Sequence, residues 1–306
     1  MKILIADDET VSRRLIEKTL ERVGYEVTAV SDGRRAAEEL CRPEGPRLAL
    51  LDWVMPQLDG PAVCRVVRRK RSQRHVHLIL LTSKSSKGDI VEGLEAGADD
   101  YLTKPFDPGE LKARLHTGQR ILELEDNLLE AREDMRYKAT HDSLTSLLNR
   151  GTILELLAGE LARKRSKKNS TAIVMCDLDH FKQINDTNGH VVGDDVLREV
   201  GRRLLASVRS YDFVGRYGGD EFLVILNNCC LGNAKERAGE ILKAIVNSPI
   251  RTTHGDIPIT MSVGVFVSYG SDTRLLEEVL CEADGALYAA KSAGRNCCCL
   301  GSASQV

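Results

Sequence analysis

The chain has 306 residues, 42% of them hydrophobic and 29% charged, with a net charge of −2. That length suggests two domains of ordinary size with real cores, and the near-neutral balance excludes a global basic field for nucleic acid or an anionic membrane surface. No apolar run approaches the length of a membrane span. The opening Met-Lys-Ile-Leu-Ile-Ala-Asp-Asp-Glu turns acidic at Asp7, unlike a secretory signal. The nine cysteines lack paired spacing, and Cys229-Cys230 and Cys297-Cys298-Cys299 are contiguous, which makes poor chelates along a strand. Free thiols in a soluble, cytoplasmic protein are expected.

Short apolar runs alternate with helical stretches through the first part of the chain. Ile3–Ala6, Val27–Val30, Leu48–Leu51, Leu78–Leu81 and Ala98–Leu102 are predicted as buried parallel strands. Val11–Val23, Arg34–Cys41, Ala62–Lys70, Gly88–Ala96 and Pro108–Leu115 are predicted as the helices between and after them. This alternation is that of an α/β, doubly wound parallel sheet, whose site lies at the carboxyl ends of the strands. Asp7 and Asp8 close the first strand, Asp52 the third and Thr82 the fourth, while Lys104-Pro105 follow the fifth. Three carboxylates on one rim repel each other unless a hard cation such as Mg²⁺ bridges them. A lysine opposite them could pair with an added phosphoryl group. The basic stretch Arg65–Arg74 reads as a solvated face.

Together these positions resemble a response-regulator receiver domain, flavodoxin-like in fold, over residues 1–118. Asp52, in Leu-Leu-Asp-Trp-Val-Met-Pro-Gln-Leu-Asp-Gly, sits where that family's phosphoacceptor sits. The resemblance implies Mg²⁺ held by Asp7, Asp8, Asp52 and the carbonyl of Val54. It implies Thr82 and Lys104 as sensors of the phosphoryl group, Tyr101 as the switch aromatic, a cis bond at Lys104-Pro105, and a cognate histidine kinase as partner.

Residues 119–140 read as a helical linker without proline. Ile121, Leu124, Leu128, Ala131 and Met135 form a heptad stripe of the kind that pairs helices. Leu122 and Leu129 start a second stripe, so the pattern is either one broad apolar face or two competing coiled-coil registers. A homodimer is expected in both cases.

In residues 141–306 the informative string is Arg-Tyr-Gly-Gly-Asp-Glu-Phe at 216–222. Gly218 and Gly219 stand between β-prone flanks, Asp212–Tyr217 and Phe222–Leu226, and predict a hairpin turn in which glycine takes positive φ. The turn would present Asp220 and Glu221 to a divalent metal and let a phosphate approach bare backbone. A strand predicted at Thr171–Met175 ends near a second acid, Asp177, and an acid at a strand end facing a neighbouring hairpin suits metal-assisted phosphoryl chemistry.

The heptapeptide, the entry motif His141–Arg150, Asp177–Lys182 with Gln183–His190, Gly193-Asp194, and the closing Tyr288–Asn296 resemble the GGDEF diguanylate cyclases. The resemblance implies a nucleotidyl-cyclase-like α/β domain with a mixed, largely antiparallel sheet. It implies Mg²⁺ on Asp177, the Leu178 carbonyl and Asp220, with Glu221 completing the cluster and the general base falling to Asp220 or Glu221. It gives Asn185 and Asp194 as readers of guanine, so that GTP is the substrate. Lys291 and Arg295, four apart and hence expected on one helical face, would neutralise phosphates with Lys182 and the backbone near Phe181. Arg209 and Asp212 occupy the family's RxxD product-inhibition position. The implied function is a phosphorylation-regulated diguanylate cyclase making cyclic di-GMP and two pyrophosphate, dimeric through the linker helix and catalytic domains. The alternatives are a catalytically silent cyclic di-GMP receptor and a phosphorelay module.

Overall fold

A computed structural model describes residues 1–70, 74–83, 87–163, 170–252, 254–270 and 272–301. Residues 71–73 of the basic stretch Arg65–Arg74 lie outside the described residues. The chain divides into two compact units, Met1–Arg132 and Glu133–Val306.

The first unit alternates strands and helices: β1 (Lys2–Ala6), α1 (Thr10–Arg22), β2 (Glu26–Val30), α2 (Gly33–Leu40), β3 (Leu48–Asp52), α3 (Gly60–Arg69), β4 (His77–Thr82), α4 (Lys87–Glu95), β5 (Asp100–Thr103) and α5 (Pro108–Thr140). The strands form a five-stranded parallel sheet in the order β2-β1-β3-β4-β5. Period-2 alternation sends Leu4, Ala49, Leu51, Leu78 and Leu80 into the core on one face, and Ile3, Ile5, Leu50, Ile79 and Leu81 into the other. Burial on both faces explains why these strands read as continuous apolar runs. Asp32 caps α2 through the Arg35 N–H, and Asp59 caps α3 through the Ala62 N–H. Pro61 in the first turn of α3 costs no helical hydrogen bond.

Helix α5 runs without a break from Pro108 to Thr140. Its first turns bury Leu111, Leu115 and Leu122 against the sheet of the first unit. Arg47 grips it further along, with Nη2 2.8 Å from Glu125 and Nη1 2.6 Å from Asp126. Leu122 is therefore committed to the core of its own unit, while Leu129 is exposed. Ile121, Leu124, Leu128, Ala131 and Met135 stay exposed as one stripe.

The second unit contains α6 (Arg150–Ala162), β6 (Ser170–Leu178), α7 (Phe181–Asn188), α8 (His190–Ser207), β7 (Phe213–Arg216), β8 (Glu221–Asn227), α9 (Leu231–Val246), β9 (Ile250–Thr252), β10 (Gly255–Ile257), β11 (Met261–Tyr269), α10 (Leu276–Ser292) and β12 (Cys298–Leu300). Its main sheet has the order β12-β11-β6-β8-β7. All neighbours are antiparallel except β11 and β12, giving the mixed, largely antiparallel sheet expected. Val174, Cys176, Phe222, Val224, Val263 and Val265 face one layer of helices. Ile173, Met175, Leu223, Ile225 and Phe266 face the other. β6 is buried along its whole length, so the acid at its end is delivered from a rigid element. All nine cysteines are free thiols.

Candidate functional site

In the first unit the carboxyl ends of β1 and β3 bring Asp7 and Asp52 together, with one carboxylate oxygen each from Asp7, Asp8 and Asp52 within 4.8 Å of one another. Asp7 is fully buried and is fixed by the Glu9 N–H at 2.9 Å and the Ser12 hydroxyl at 2.7 Å. Asp8 is exposed. Lys104 directly follows β5 and precedes the observed cis Lys104–Pro105 bond, and its Nζ lies 2.9 Å from Asp7 and 2.8 Å from Asp52. Burial pushes the Asp52 carboxyl above its ordinary range, with the Asp7 charge adding to the rise and Lys104 working against it. For Lys104 the two carboxylates outweigh burial, and its ammonium is held more strongly than usual. Thr82 is buried at the end of β4, and its carbonyl accepts the Lys104 N–H at 2.7 Å. Tyr101, in β5, packs against the core that includes Trp53 and Met55. The Val54 side chain is exposed in the loop after β3.

In the second unit three neighbouring strands converge on one end of the sheet. Asp177 near the end of β6 stands opposite Glu221 at the start of β8 and opposite Ser262 on β11. The Leu178 N–H donates to the Asp220 carbonyl at 3.2 Å, closing the strand end onto the turn. Lys291 of α10 reaches Asp177 at 2.7 Å. Burial raises the Asp177 carboxyl against the pull of Lys291, and the charges of Asp220 and Asp179 raise it further. Burial, then the charge of Asp177, raises Glu221 as well. Burial first, and neighbouring charge second, raise these carboxyls, and their oxygens are the donors a hard divalent cation takes. Of the two acid sets, that of Asp7, Asp8 and Asp52 brings one oxygen from each residue within 4.8 Å.

The turn itself differs from the sequence expectation. Gly218 and Gly219 are not among the positive-φ glycines. β7 ends at Arg216 and β8 starts at Glu221, so the loop is longer than a two-residue primed turn and needs no left-handed residue. The Tyr217 and Gly218 N–H groups both donate to the Glu221 carbonyl, at 2.8 and 3.2 Å. A Cβ at 218 would lie 2.5 Å from Glu221 Oε2, so a side chain there would push the Glu221 carboxylate from its place. Arg216 pins the loop, its Nη2 donating to the Gly219 carbonyl at 2.7 Å and its Nη1 to both Asp142 oxygens at 3.2 Å.

Arg295 also departs from expectation, because it does not share a helical face with Lys291. α10 ends at Ser292, Gly294 takes φ 111° and Arg295 φ 64°. Glycine just past the last turn is a common helix stop. Arg295 is thereby carried on an exposed turn, whose next residue, Asn296, donates its N–H to Asp179 Oδ2 at 3.0 Å. The other oxygen of buried Asp179 accepts the Ser262 hydroxyl at 2.7 Å. Asp179 is a site-shaping residue that pattern reading did not single out.

Phe181 opens α7 and packs its ring on the core, while Lys182 is exposed. Asn185 lies over Gly193, so closely that a Cβ on Gly193 would overlap its Oδ1. Asp194 follows directly, half-exposed, with its nearest cation Arg198 at 4.0 Å. Arg209 and Asp212 lie away from this cluster, at the turn before β7. Asp212 is buried and accepts the backbone N–H groups of Arg209 at 3.1 Å and Asn227 at 3.0 Å. Arg237 of α9 approaches it at 3.6 Å, a neighbour that sequence spacing gave no reason to choose.

A five-stranded parallel sheet with an acid pocket and a paired lysine at its carboxyl edge, followed by a mixed sheet whose acids meet on a glycine turn, defines a receiver joined to a nucleotidyl-cyclase-like unit. The family described as the response regulator receiver domain matches residues 3–116, and that described as diguanylate cyclase, GGDEF domain, matches residues 139–297. The chain belongs to the GGDEF diguanylate cyclase family and carries an N-terminal response-regulator receiver domain. It is 31% identical over 298 residues, 96% of its length, to the response regulator PleD of Caulobacter vibrioides, and it spans 64% of that relative's length. It is 38% identical over 164 residues, 54% of its length, to diguanylate cyclase DgcP of Pseudomonas aeruginosa, covering 20% of that relative. The crystal structure of the coiled coil and GGDEF domain of DgcB from Caulobacter crescentus in complex with c-di-GMP superposes with a TM-score of 0.55. That match is at 30% identity and covers 62% of this chain and 99% of that one. Among the described residues no helix is long and apolar enough to cross a membrane.

Proposed function

We propose that the chain is a phosphorylation-controlled, cytoplasmic diguanylate cyclase that converts two GTP into cyclic di-GMP and two pyrophosphate. The observation that carries this reading is the meeting of Asp177, Glu221 and Lys291, acids opposed across the β6–β8 ladder with a lysine 2.7 Å from one of them. Mg²⁺ bound by Asp177, the Leu178 carbonyl and Asp220, with Glu221 completing the cluster, would offset charge developing on the α-phosphate and on the departing pyrophosphate. Lys291, Arg295, Lys182, the backbone at Phe181 and the open turn at Gly218-Gly219 hold the triphosphate. Asn185 and Asp194 take the guanine edge, one carboxylate and one amide for its donors and O6 acceptor.

The 3′-hydroxyl of one GTP attacks the α-phosphorus of the other. Its proton passes to Asp220 or Glu221, and the bond from the α-phosphorus to the bridging oxygen breaks. A second such step closes the ring. One active site holds one GTP, so two copies must face each other. The exposed stripe Ile121, Leu124, Leu128, Ala131 and Met135 within the 119–140 connector suits pairing of two α5 helices. Pairing raises the effective concentration of the half-sites in the 141–306 domain.

Control falls to the 1–118 domain. Asp52 accepts a phosphoryl group from a cognate histidine kinase, with Asp7, Asp8 and the Val54 carbonyl sharing Mg²⁺ with it and Thr82, Tyr101 and Lys104 reading the change. Cyclic di-GMP, the product, also binds at Arg209 and Asp212 and inhibits.

The test is GTP turnover with Mg²⁺, with and without beryllofluoride as the mimic of phosphorylated Asp52, the product being identified by mass. Cyclic di-GMP that rises with the mimic is expected, and the rise should vanish in Asp52→Asn. Product insensitive to the mimic would remove the control. Absence of product with intact binding of cyclic di-GMP would make the chain a receptor.

A further inference from the structure

We propose that His75, His77 and Asp99 form a second metal site in the receiver unit, chemically distinct from the acid pocket and selective for a borderline divalent d-block cation of the Zn²⁺ kind. One ligand atom from each of the three lies within 4.8 Å of the others. His77 opens β4, and Asp99 directly precedes β5, where its N–H donates to the Leu78 carbonyl at 2.9 Å. The cluster therefore sits at the amino ends of the strands, whereas Asp52 and Thr82 stand at carboxyl ends.

His75 and Asp99 are in a direct hydrogen-bonded contact that a shared cation would replace. His75 Nε2 is 3.1 Å from Asp99 Oδ1, and His77 Nδ1 is 3.9 Å from Asp99 Oδ2. With metal–ligand distances of about 2.0–2.2 Å for imidazole nitrogen and carboxylate oxygen, such separations span one coordination sphere. Neither ring nitrogen of His77 has a hydrogen-bond partner, although both are buried. An unpaired buried polar atom is destabilising, and a cation at Nδ1 would give that atom a partner. On the other side, Nε2 abuts α5, where a Cβ at Gly118 would stand 2.9 Å from it. Nδ1 is thus the nitrogen with room to ligate.

Asp99 has the supporting contacts that metal-binding carboxylates carry. Its Oδ2 accepts the Leu78 N–H at 2.7 Å and Arg68 Nη2 at 2.6 Å. Arg68 is itself fixed by the carbonyls of Gly97 at 2.9 Å and Val76 at 2.8 Å. Burial lowers the proton affinity of the His77 ring, which favours the form that ligates. The Arg68 charge offsets Asp99, so the bare cluster attracts a cation less than an all-acid pocket does, and selectivity comes from the two imidazoles. Nitrogen donors disfavour Mg²⁺, which demands oxygen, and suit Zn²⁺ or Co²⁺. Two histidines and one carboxylate leave a fourth position for water.

The test uses the full chain, stripped with chelator and then held in excess Mg²⁺ to saturate the oxygen sites, titrated with Co²⁺. The expected result is one equivalent with visible d–d bands and no thiolate-to-cobalt charge-transfer band, displaced by Zn²⁺. His75→Ala, at a partly exposed position, should weaken binding by at least about 10-fold. His75→Cys should retain binding and add the charge-transfer band, which a misfolded chain would not do. Absence of binding, binding only through the thiolate band in the unsubstituted chain, or a spectrum unmoved by both His75 variants would overturn the site.

Discussion

Arg216 and Asp142 are joined by a forked contact, Nη1 lying 3.2 Å from each carboxylate oxygen, so the start of the catalytic unit is tied to the strand that leads into the glycine turn. The same guanidinium holds the Gly219 carbonyl. Asp142 also accepts the Thr145 N–H at 2.8 Å and its hydroxyl at 2.7 Å. Burial works to raise the Asp142 carboxyl, but Thr145 and Arg216 outweigh it and leave the group below its ordinary range. A depressed carboxylate adds stability that is present above its unfolded pKa and is lost as pH falls through the folded value. Asp142→Asn should therefore cost about 1–3 kcal/mol at neutral pH, and the cost should shrink as pH drops below the ordinary carboxylate value. Urea midpoints measured across that range check the sign. Turnover should fall about 10–100-fold because the turn loses its anchor, and Arg216→Ala should match it.

Asp179 makes a second tie, between β6 and the turn after α10. Asp179→Ala frees Asn296 and Ser262 together and lets the Arg295 turn drift, so KM for GTP should rise about 10-fold with a smaller change in kcat. Asp179→Asn should be milder, since its oxygen can keep the Asn296 N–H while the Ser262 hydroxyl turns to accept. Equal damage from both substitutions would assign Asp179 to charge rather than to holding the turn.

These two ties explain what pattern could and could not reveal. Asp7, Asp52, Thr82 and Asp177 were legible because each closes an apolar run, and a strand end is where a parallel or mixed sheet exposes its chemistry. Asp142 and Arg216 are 74 residues apart, and Asp179 and Asn296 are 117 apart. Nothing local marks such a pairing, since the contact exists only once the sheet order is set. Gly218 was legible as a turn residue, but its φ is not positive, and a Cβ there would instead meet the Glu221 carboxylate. Arg295 was misplaced although Gly294, a helix stop, stood beside it. Leu122 carried a valid heptad signal, yet burial against the receiver sheet claimed it.

The proposed base reading by Asn185 rests on its close approach to Gly193. Gly193→Ala would thrust a methyl group into the Asn185 carboxamide while leaving Asp194 on its helix. Discrimination between GTP and ATP should fall by about 10-fold or more, because a site built on hydrogen bonds loses selectivity when one partner moves. The measurement is kcat/KM for both nucleotides. A loss confined to stability, with the ratio intact, would remove Asn185 from base reading.

The proposed product inhibition should depend on Arg237 as well as Arg209. Both arginines line a cavity of about 300 Å³ with Asp212, Asn228 and Asn233. The Asp212 carboxylate is occupied by two backbone N–H groups, so its work is to shape the turn that presents Arg209. Arg209 is exposed, and its Nη1 rests 2.7 Å from the Tyr211 hydroxyl, a contact that an incoming phosphate or guanine could replace. A charge-assisted arginine contact is worth about 1.5–3 kcal/mol, or roughly 10-fold or more in affinity. Arg209→Ala and Arg237→Ala should each raise the cyclic di-GMP concentration for half-inhibition by that factor and leave KM for GTP in place, since both lie apart from Asp177 and Glu221. Asp212→Asn should weaken inhibition and also lower the urea midpoint, because it loosens the turn. Inhibition unchanged in Arg237→Ala would restrict the site to Arg209 and its turn.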